Sequence, residues 1–316
     1  MSFNDDHPHN RRVAIRKIAA TATAVVSAPA LLIQSPQHHC GAAESTSSPA
    51  INATSSLESM VGITCGGGLG RQRERGELDL FSVPKYVHEE LGMRLIDLNT
   101  RWTTPYSEKE LAKARETAER TGCYFSNLKV NYNVGNMYSD DAAERRQAVQ
   151  EARSQVDAAK TLGTRWIRFT IPQQHADAPV AHIELAQYAH EQGLKLLVEN
   201  GGWMKSHPGA ISSVVKAIGG YAAACPDTGN WDDDLRAEGL RKSFVGAESC
   251  DFKVFELGKN HQHAEYDLKQ CFDLGWNAGF RGPWIIEHMK DATENFARDT
   301  VYIRELLQKW IAKRNG

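Results

Sequence analysis

Lys195-Leu196-Leu197-Val198-Glu199-Asn200-Gly201-Gly202-Trp203 is the stretch that decides how the chain is read. One basic and three apolar residues run into a carboxylate and then into glycines, the pattern of a short buried parallel strand that ends on Glu199 and opens into a loop. Three later segments share this shape. Tyr221 to Asp227 is a run of small residues ending on an acid before Thr228-Gly229-Asn230, Ser249 to Phe255 carries Asp251 and Lys253, and Pro283-Trp284-Ile285-Ile286 runs into Glu287-His288. The acids follow Glu199 at successive intervals of 28, 24 and 36 residues, close to the roughly 30 residues that one strand-plus-helix unit of an eightfold barrel takes. Four consecutive strands would thus bring four acids to one rim.

The segments before this stretch extend the pattern. Apolar runs at Met60 to Cys65, Arg94 to Asn99, Cys123 to Val130 and Arg165 to Thr170 read as four earlier strands. Helical periods lie between them, clearest at Val149, Ala152, Val156, Ala159 and Leu162, where Gly163 occupies the place of a C-terminal cap. Ser107-Glu108-Lys109-Glu110 fits a capping box. Pro84 suits the first turn of a helix over Val83 to Leu91, and His207 is expected to cap a helix that Pro208 opens. Later helices are expected at Val180 to Gln192, Asp233 to Arg241 and Ala264 to Leu274. The glycines at 66, 67, 68 and 70 read as a plain rim loop, without the spacing of a phosphate-binding loop. Asn131, Tyr132 and Asn133 continue that polar rim. The expectation is an α/β protein, a single (β/α)8 TIM barrel over residues 58–316.

What precedes the barrel reads differently. Arg11-Arg12, the apolar run Ile18 to Ile33 and Ala28-Pro29-Ala30 follow the order of an export signal over residues 1–30, with the paired arginines suggesting the twin-arginine route. Residues 31–57, rich in Ser, Thr, Pro and Ala, read as a tether. The protein is therefore expected to be exported, to the periplasm or cell envelope, with no integral membrane span because the apolar run is too short. At 41% hydrophobic residues the chain can fill one sizeable core, and its net charge of −2 leaves no basic footprint for nucleic acid. A small-molecule partner is expected instead. None of the six cysteines is in C-x-x-C spacing, which argues against a structural zinc site and for buried free thiols.

Acids at the C-terminal ends of barrel strands occupy the catalytic rim. Glu199, Asp227, Asp251 and Glu287 offer hard oxygen donors suited to Mn²⁺ or Mg²⁺, with Co²⁺ or Zn²⁺ an option where an imidazole joins them. Without a cation, four like charges so close would raise one another's pKa values. Whether Asp251 or Lys253 faces the site depends on the register of their strand. Lys253 is placed either to steady a substrate oxygen or to pair with a rim acid. Trp102, Trp203 and Trp231 fall just past strand ends, where an indole can stack on a sugar ring or simply pack. His288, next to Glu287, is expected either to touch substrate or to alternate to the other side of the strand.

Val198-Glu199-Asn200, Pro226-Asp227-Thr228-Gly229-Asn230 and Ile285-Ile286-Glu287-His288 resemble the strand-five, strand-six and strand-eight motifs of the xylose isomerase-like sugar phosphate isomerase/epimerase superfamily, most clearly from about residue 140 onward. That resemblance implies a metal-dependent sugar or cyclitol isomerase or epimerase. Glu199, Asp227, a strand-seven residue (Asp251) and Glu287 would be ligands, and Glu199 and Glu287 would also pass a proton through an enediolate. Lys253, Asn230, Trp203 and His288 are the candidate substrate contacts. Two positions depart from the family pattern: Asp251 stands where His-x-Lys begins, and Asn230 stands where a histidine is frequent. A dehydratase or lyase on the same scaffold and a non-catalytic carbohydrate-binding barrel are the alternatives. The related apurinic endonuclease chemistry is disfavoured by the lack of a basic face. For an exported enzyme an unphosphorylated substrate is expected.

Overall fold

The computed structural model describes residues 57–130, 136–177, 179–258, 260–289 and 295–316. The expected signal over 1–30, nearly all of the tether, Cys40 and the rim residues Asn131, Tyr132 and Asn133 lie outside these residues. Eight strands form one sheet: β1 Val61–Thr64, β2 Leu95–Asn99, β3 Tyr124–Lys129, β4 Trp166–Arg168, β5 Lys195–Val198, β6 Ala222–Ala224, β7 Cys250–Val254 and β8 Trp284–His288. Every pairing is parallel, in the order β6-β5-β4-β3-β2-β1-β8-β7. The two edges meet through isolated bridges, Ala224 with Ala247 and Asp227 with Asp251, and through the Asp251 amide donating to the Pro226 carbonyl at 3.0 Å. A TIM barrel results, as the eight βα units predict.

Successive side chains alternate between the two faces of each strand, and this sorts the core. The outward face packs under the helices in one large apolar cluster, whereas Trp166, Leu197, Ala223 and Cys225 form a separate small cluster. These four share the parity of Arg168, Glu199 and Asp227 two residues further along. The bore is therefore apolar towards the start of the strands and charged at their C-terminal ends. Among the described residues no helix is long and apolar enough to cross a membrane, and Cys65, Cys123, Cys225, Cys250 and Cys271 are buried free thiols.

The helical shell follows its capping signals. α4 Glu108–Arg120 starts with Ser107 and Glu110 in a complete capping box. α5 Ala142–Leu162 buries Ala148, Ala152, Val156, Ala159 and Leu162 and stops at Gly163 with φ 73°. Pro84 lies in the first turn of α2 Val83–Glu89, a single turn α3 Thr100–Thr103 follows β2, α6 Val180–Glu191 lies where periodicity places it, and α10 Asn295–Asn315 follows β8. Elsewhere the structure corrects the sequence. Gly67, Gly68 and Gly70 are not a loop but belong to α1 Gly67–Glu74. A Cβ on Gly68 would come within 2.3 Å of the Phe296 ring, so the bare backbone lets α1 press onto α10. α7 Ala210–Ile218 takes Gly209 as its N-cap, and His207 instead ends the preceding 3₁₀ turn Gly202–Ser206, its Nδ1 at 2.9 Å from the Trp203 carbonyl. α8 Arg236–Ser243 and α9 Leu268–Asn277 begin later than periodicity suggests.

Candidate active site at the barrel mouth

Glu199 sits one residue past β5, where the chain leaves the sheet. Asn200 behind it is fully buried and clasps the end of β6: its Oδ1 accepts from the Asp227 amide at 2.7 Å, and its Nδ2 donates to the Asp227 and Asn230 carbonyls, both at 3.0 Å. Asp227 is held in turn by the Thr228-Gly229-Asn230 turn, whose Gly229 and Asn230 amides donate to Oδ1 at 2.8 and 3.0 Å. That leaves Asp227 Oδ2 facing the bore, 2.9 Å from Lys253 Nζ.

β7 presents two residues to the bore. Asp251 and Lys253 are two apart on one face, so both point inward, and they differ in depth. Asp251 lies lower, its Oδ1 accepting from Lys129 Nζ of β3 at 2.6 Å across the barrel. Lys253 lies at the rim, pairs in register with Glu287 of β8, and reaches Glu287 Oε2 at 3.2 Å as well as Asp227. Its Nζ also donates to Asn230 Oδ1 at 2.6 Å, while Asn230 Nδ2 donates to Glu199 Oε1 at 3.0 Å. Asn230 thus links the two ends of the acid set. Glu199 Oε2 is paired with Arg168 of β4.

Three groups that the sequence reading passed over complete this network. Lys129 follows Leu128 and Arg168 follows Trp166-Ile167, each the charged last residue of its strand, a signal readable in the sequence. Asp97 of β2 lies beneath the mouth and accepts from Ser126 Oγ at 2.5 Å and Asn127 Nδ2 at 3.0 Å, with Lys129 Nζ 4.0 Å away. Among the described residues of this network, five carboxylates, Asp97, Glu199, Asp227, Asp251 and Glu287, face Lys129, Arg168 and Lys253. Two negative charges remain when all are ionised.

Burial and these charges separate the acids. Burial raises Asp227 to about 7, with Glu287 and Asp251 adding to the shift and Lys253 opposing it. Burial alone would raise Glu287 too, but Lys253 and Lys129 outweigh it and hold the carboxyl down at about 2. Burial raises Asp97, with Asp251 adding and Lys129 opposing. Lys129 is itself raised, because Asp251, Glu287 and Asp97 outweigh the burial that would lower it. Two neighbouring carboxyls thus differ widely in proton affinity, because burial dominates at Asp227 and the two lysines dominate at Glu287.

The residues present also fit a divalent ion. Glu199, Asp227 and Asp251 each bring a carboxylate oxygen to within 4.8 Å of the other two. Asp251 Oδ2 is buried without a hydrogen-bond donor, and buried oxygens of that kind are ordinarily satisfied. An all-oxygen set suits a hard cation, and one divalent charge would cancel the surplus of two. Glu287, expected as a fourth ligand, is not in this group and faces Lys253 instead.

The remaining candidates divide. Trp203 is half-buried in the loop after β5, its Nε1 donating to the Ile171 carbonyl past β4 at 2.9 Å. Trp102 and Trp231 are core residues: Trp102 is fully buried with Nε1 on the Cys65 carbonyl at 2.6 Å, and Trp231 packs against Gly239 of α8. His288 does not join the mouth. The alternation that turns Glu287 inward turns His288 out, where it is buried at 5.2 Å, ring to ring, from Phe296.

Residues 87–312 match the family described as xylose isomerase-like TIM barrel. No curated protein matches the chain in sequence. Among solved structures it is similar to D-psicose 3-epimerase with D-tagatose from Clostridium cellulolyticum, at 14% identity and a TM-score of 0.61, over 79% of this chain and 98% of that one. It is also similar to apo 3-keto-D-glucoside 4-epimerase from E. coli, at 11% identity and 0.59, over 79% and 99%. A xylose isomerase-like TIM barrel protein from Mycobacterium smegmatis in complex with magnesium aligns at 15% identity and 0.56, over 74% and 90%. At these identities the likeness is one of fold, and together with the match over most of the barrel it makes this chain a member of the xylose isomerase-like TIM barrel family.

Proposed function

We propose that this protein is a sugar or cyclitol isomerase or epimerase that moves a proton next to a carbonyl. The observation that carries the reading is the convergence of Glu199, Asp227 and Glu287 on one mouth, tied together by Lys253 and Asn230, with Asp251 below them grouped with Glu199 and Asp227. Epimerases of ketoses and keto-glucosides among its structural neighbours support the substrate class.

Glu199, one residue past β5, and Glu287 of β8 are the carboxylates assigned to take a proton from a carbon and return one to the opposite face. Lys253 and Asn230 lie between them as donors to substrate oxygens, and half-buried Trp203 offers an apolar edge in the neighbouring loop. Glu199, Asp227 and Asp251 would hold a divalent ion, Mn²⁺ or Mg²⁺ by the hardness of their oxygens. Such an ion would supply Lewis-acid stabilisation of negative charge on the substrate. The same proton abstraction serves a dehydratase if a hydroxyl leaves instead. We place the protein outside the cytoplasm, on the strength of residues 1–30 alone, and its substrate is accordingly unphosphorylated.

The test is proton exchange. Purified protein with Mn²⁺ is incubated with a panel of ketoses and inososes in D₂O and read by NMR for loss of the C–H signal beside the carbonyl. Exchange is expected for at least one substrate, falling by at least about 100-fold in Glu199→Gln and in Glu287→Gln. No exchange across the panel favours the second reading, a non-catalytic carbohydrate-binding barrel. One observation speaks for that reading: Glu199, Asp227, Asp251 and Glu287 each already have a protein cation beside them.

A further inference from the structure

Lys253 is built into the mouth. Its side chain is 8% exposed and its Nζ has three partners, Asp227 Oδ2 at 2.9 Å, Glu287 Oε2 at 3.2 Å and Asn230 Oδ1 at 2.6 Å. The backbone is pinned on both sides: Thr228 Oγ1 accepts from the Lys253 amide at 2.9 Å, and the Tyr266 hydroxyl donates to the Lys253 carbonyl at 2.6 Å. Its stem lies over Gly229, where a Cβ would come within 2.7 Å of Lys253 Cδ, 2.8 Å of the Tyr266 hydroxyl oxygen and 2.9 Å of Lys253 Cβ. The glycine of the Asp227-Thr228-Gly229-Asn230 turn therefore makes the room that Lys253 occupies.

That position conflicts with an ion. An ion bonded to Asp227 Oδ2 at about 2.1 Å lies no more than about 5 Å from an ammonium that is 2.9 Å from the same oxygen. Like charges at that range inside a protein repel far more strongly than in water. The ammonium also pairs with Glu287, which lies outside the group that Glu199, Asp227 and Asp251 form.

We propose that Lys253 is a tethered competitor for the divalent ion: its ammonium, seated over Gly229 between Asp227, Glu287 and Asn230, keeps the ion weakly held and exchangeable. The inference rests on the ion assigned under the proposed function, and it sets the affinity of that same site. Removing the ammonium frees Asp227 and restores Glu287 as a fourth oxygen donor. A methyl group on Gly229 presses on that stem and on the Tyr266 hydroxyl that holds the Lys253 carbonyl, and so loosens the seat of the ammonium while leaving every charge in place.

Mn²⁺ binding, read by the EPR signal of the free ion, tests this without any substrate. Lys253→Met is expected to bind Mn²⁺ at least about 30-fold more tightly than wild type, and Gly229→Ala by a smaller factor. If Lys253→Met does not fold alone, Gly229→Ala carries the comparison. A second readout is the rise in melting temperature with added Mn²⁺, expected to be larger in both variants than in wild type. Equal affinity in all three proteins, or weaker binding in the variants, overturns the competitor and leaves the ion in place. No binding by any of the three at millimolar Mn²⁺ removes the ion from the proposed function, and the competitor with it.

Discussion

Lys129→Met tests the buried charge balance most directly. Lys129 Nζ is 2.6 Å from Asp251 Oδ1 and 4.0 Å from Asp97 Oδ2, and the three side chains are 4%, 0% and 1% exposed. Methionine keeps the length of the stem and removes the charge, so the bore is left with two carboxylates and no cation between them. Removing one partner of such a pair typically costs about 3–5 kcal/mol. For a barrel of this size that is a fall in melting temperature of roughly 6–15 °C. The assay is equilibrium unfolding in urea at pH 8 with EDTA, where freed carboxyls cannot relax by taking up protons. At pH 5 the loss should shrink, because burial already raises Asp97 and Lys129 no longer opposes that rise, so Asp97 takes up a proton more readily. The decisive comparison is Lys129→Met combined with Asp251→Asn, which removes both charges and should recover most of the loss. A loss below about 1 kcal/mol in the single variant, or a double variant no more stable than the single, would refute the reasoning. Mn²⁺ added to Lys129→Met should also restore stability if the ion engages Asp251.

Two further outcomes follow from buried polar groups near the mouth. His182, 1% exposed, has Nε2 at 3.2 Å from the Thr170 carbonyl and Nδ1 at 2.8 Å from the Tyr138 hydroxyl. A carbonyl only accepts, so Nε2 carries the proton and neutral Nδ1 accepts from Tyr138. Burial lowers its pKa to about 4, below the unfolded value near 6.5, so the stability it contributes is complete above about pH 6.5 and is lost as the pH falls towards 4. The total is about 3 kcal/mol, and the slope of unfolding free energy against pH in that window should lose about one proton in His182→Gln. An unchanged slope would show that another group titrates there. Asn200→Ala strips three buried hydrogen bonds from the ends of β5 and β6, and should cost about 2–4 kcal/mol. It should also lower proton exchange, because Asp227 and Asn230 lose their clasp; full exchange in a destabilised variant would show that the clasp serves stability alone.

The barrel is legible in the sequence because buried parallel strands are short, nearly continuous apolar runs, and because each must be followed by a helix long enough to return the chain. The acids are legible for the same reason: a carboxylate closing such a run can only lie at the mouth. The bases are harder to place, since Lys129 meets its partner Asp251 across 122 residues of sequence, and one charged residue at the end of a strand gives no hint of which acid it faces. Tertiary packing likewise decides Gly68, whose lack of a side chain answers to a phenyl ring of α10. Period-two alternation resolves His288, turned away from the mouth by being next to Glu287. It also resolves Asp251 and Lys253, which share a face, so that a slip of one residue would turn both away together. A sequence thus shows which strand ends carry charge and on which face, whereas the pairing of those charges across the bore exists only in the closed barrel. At this mouth Lys253 meets Asp227 and Glu287 together, a pairing that neither β7 nor β8 read alone contains.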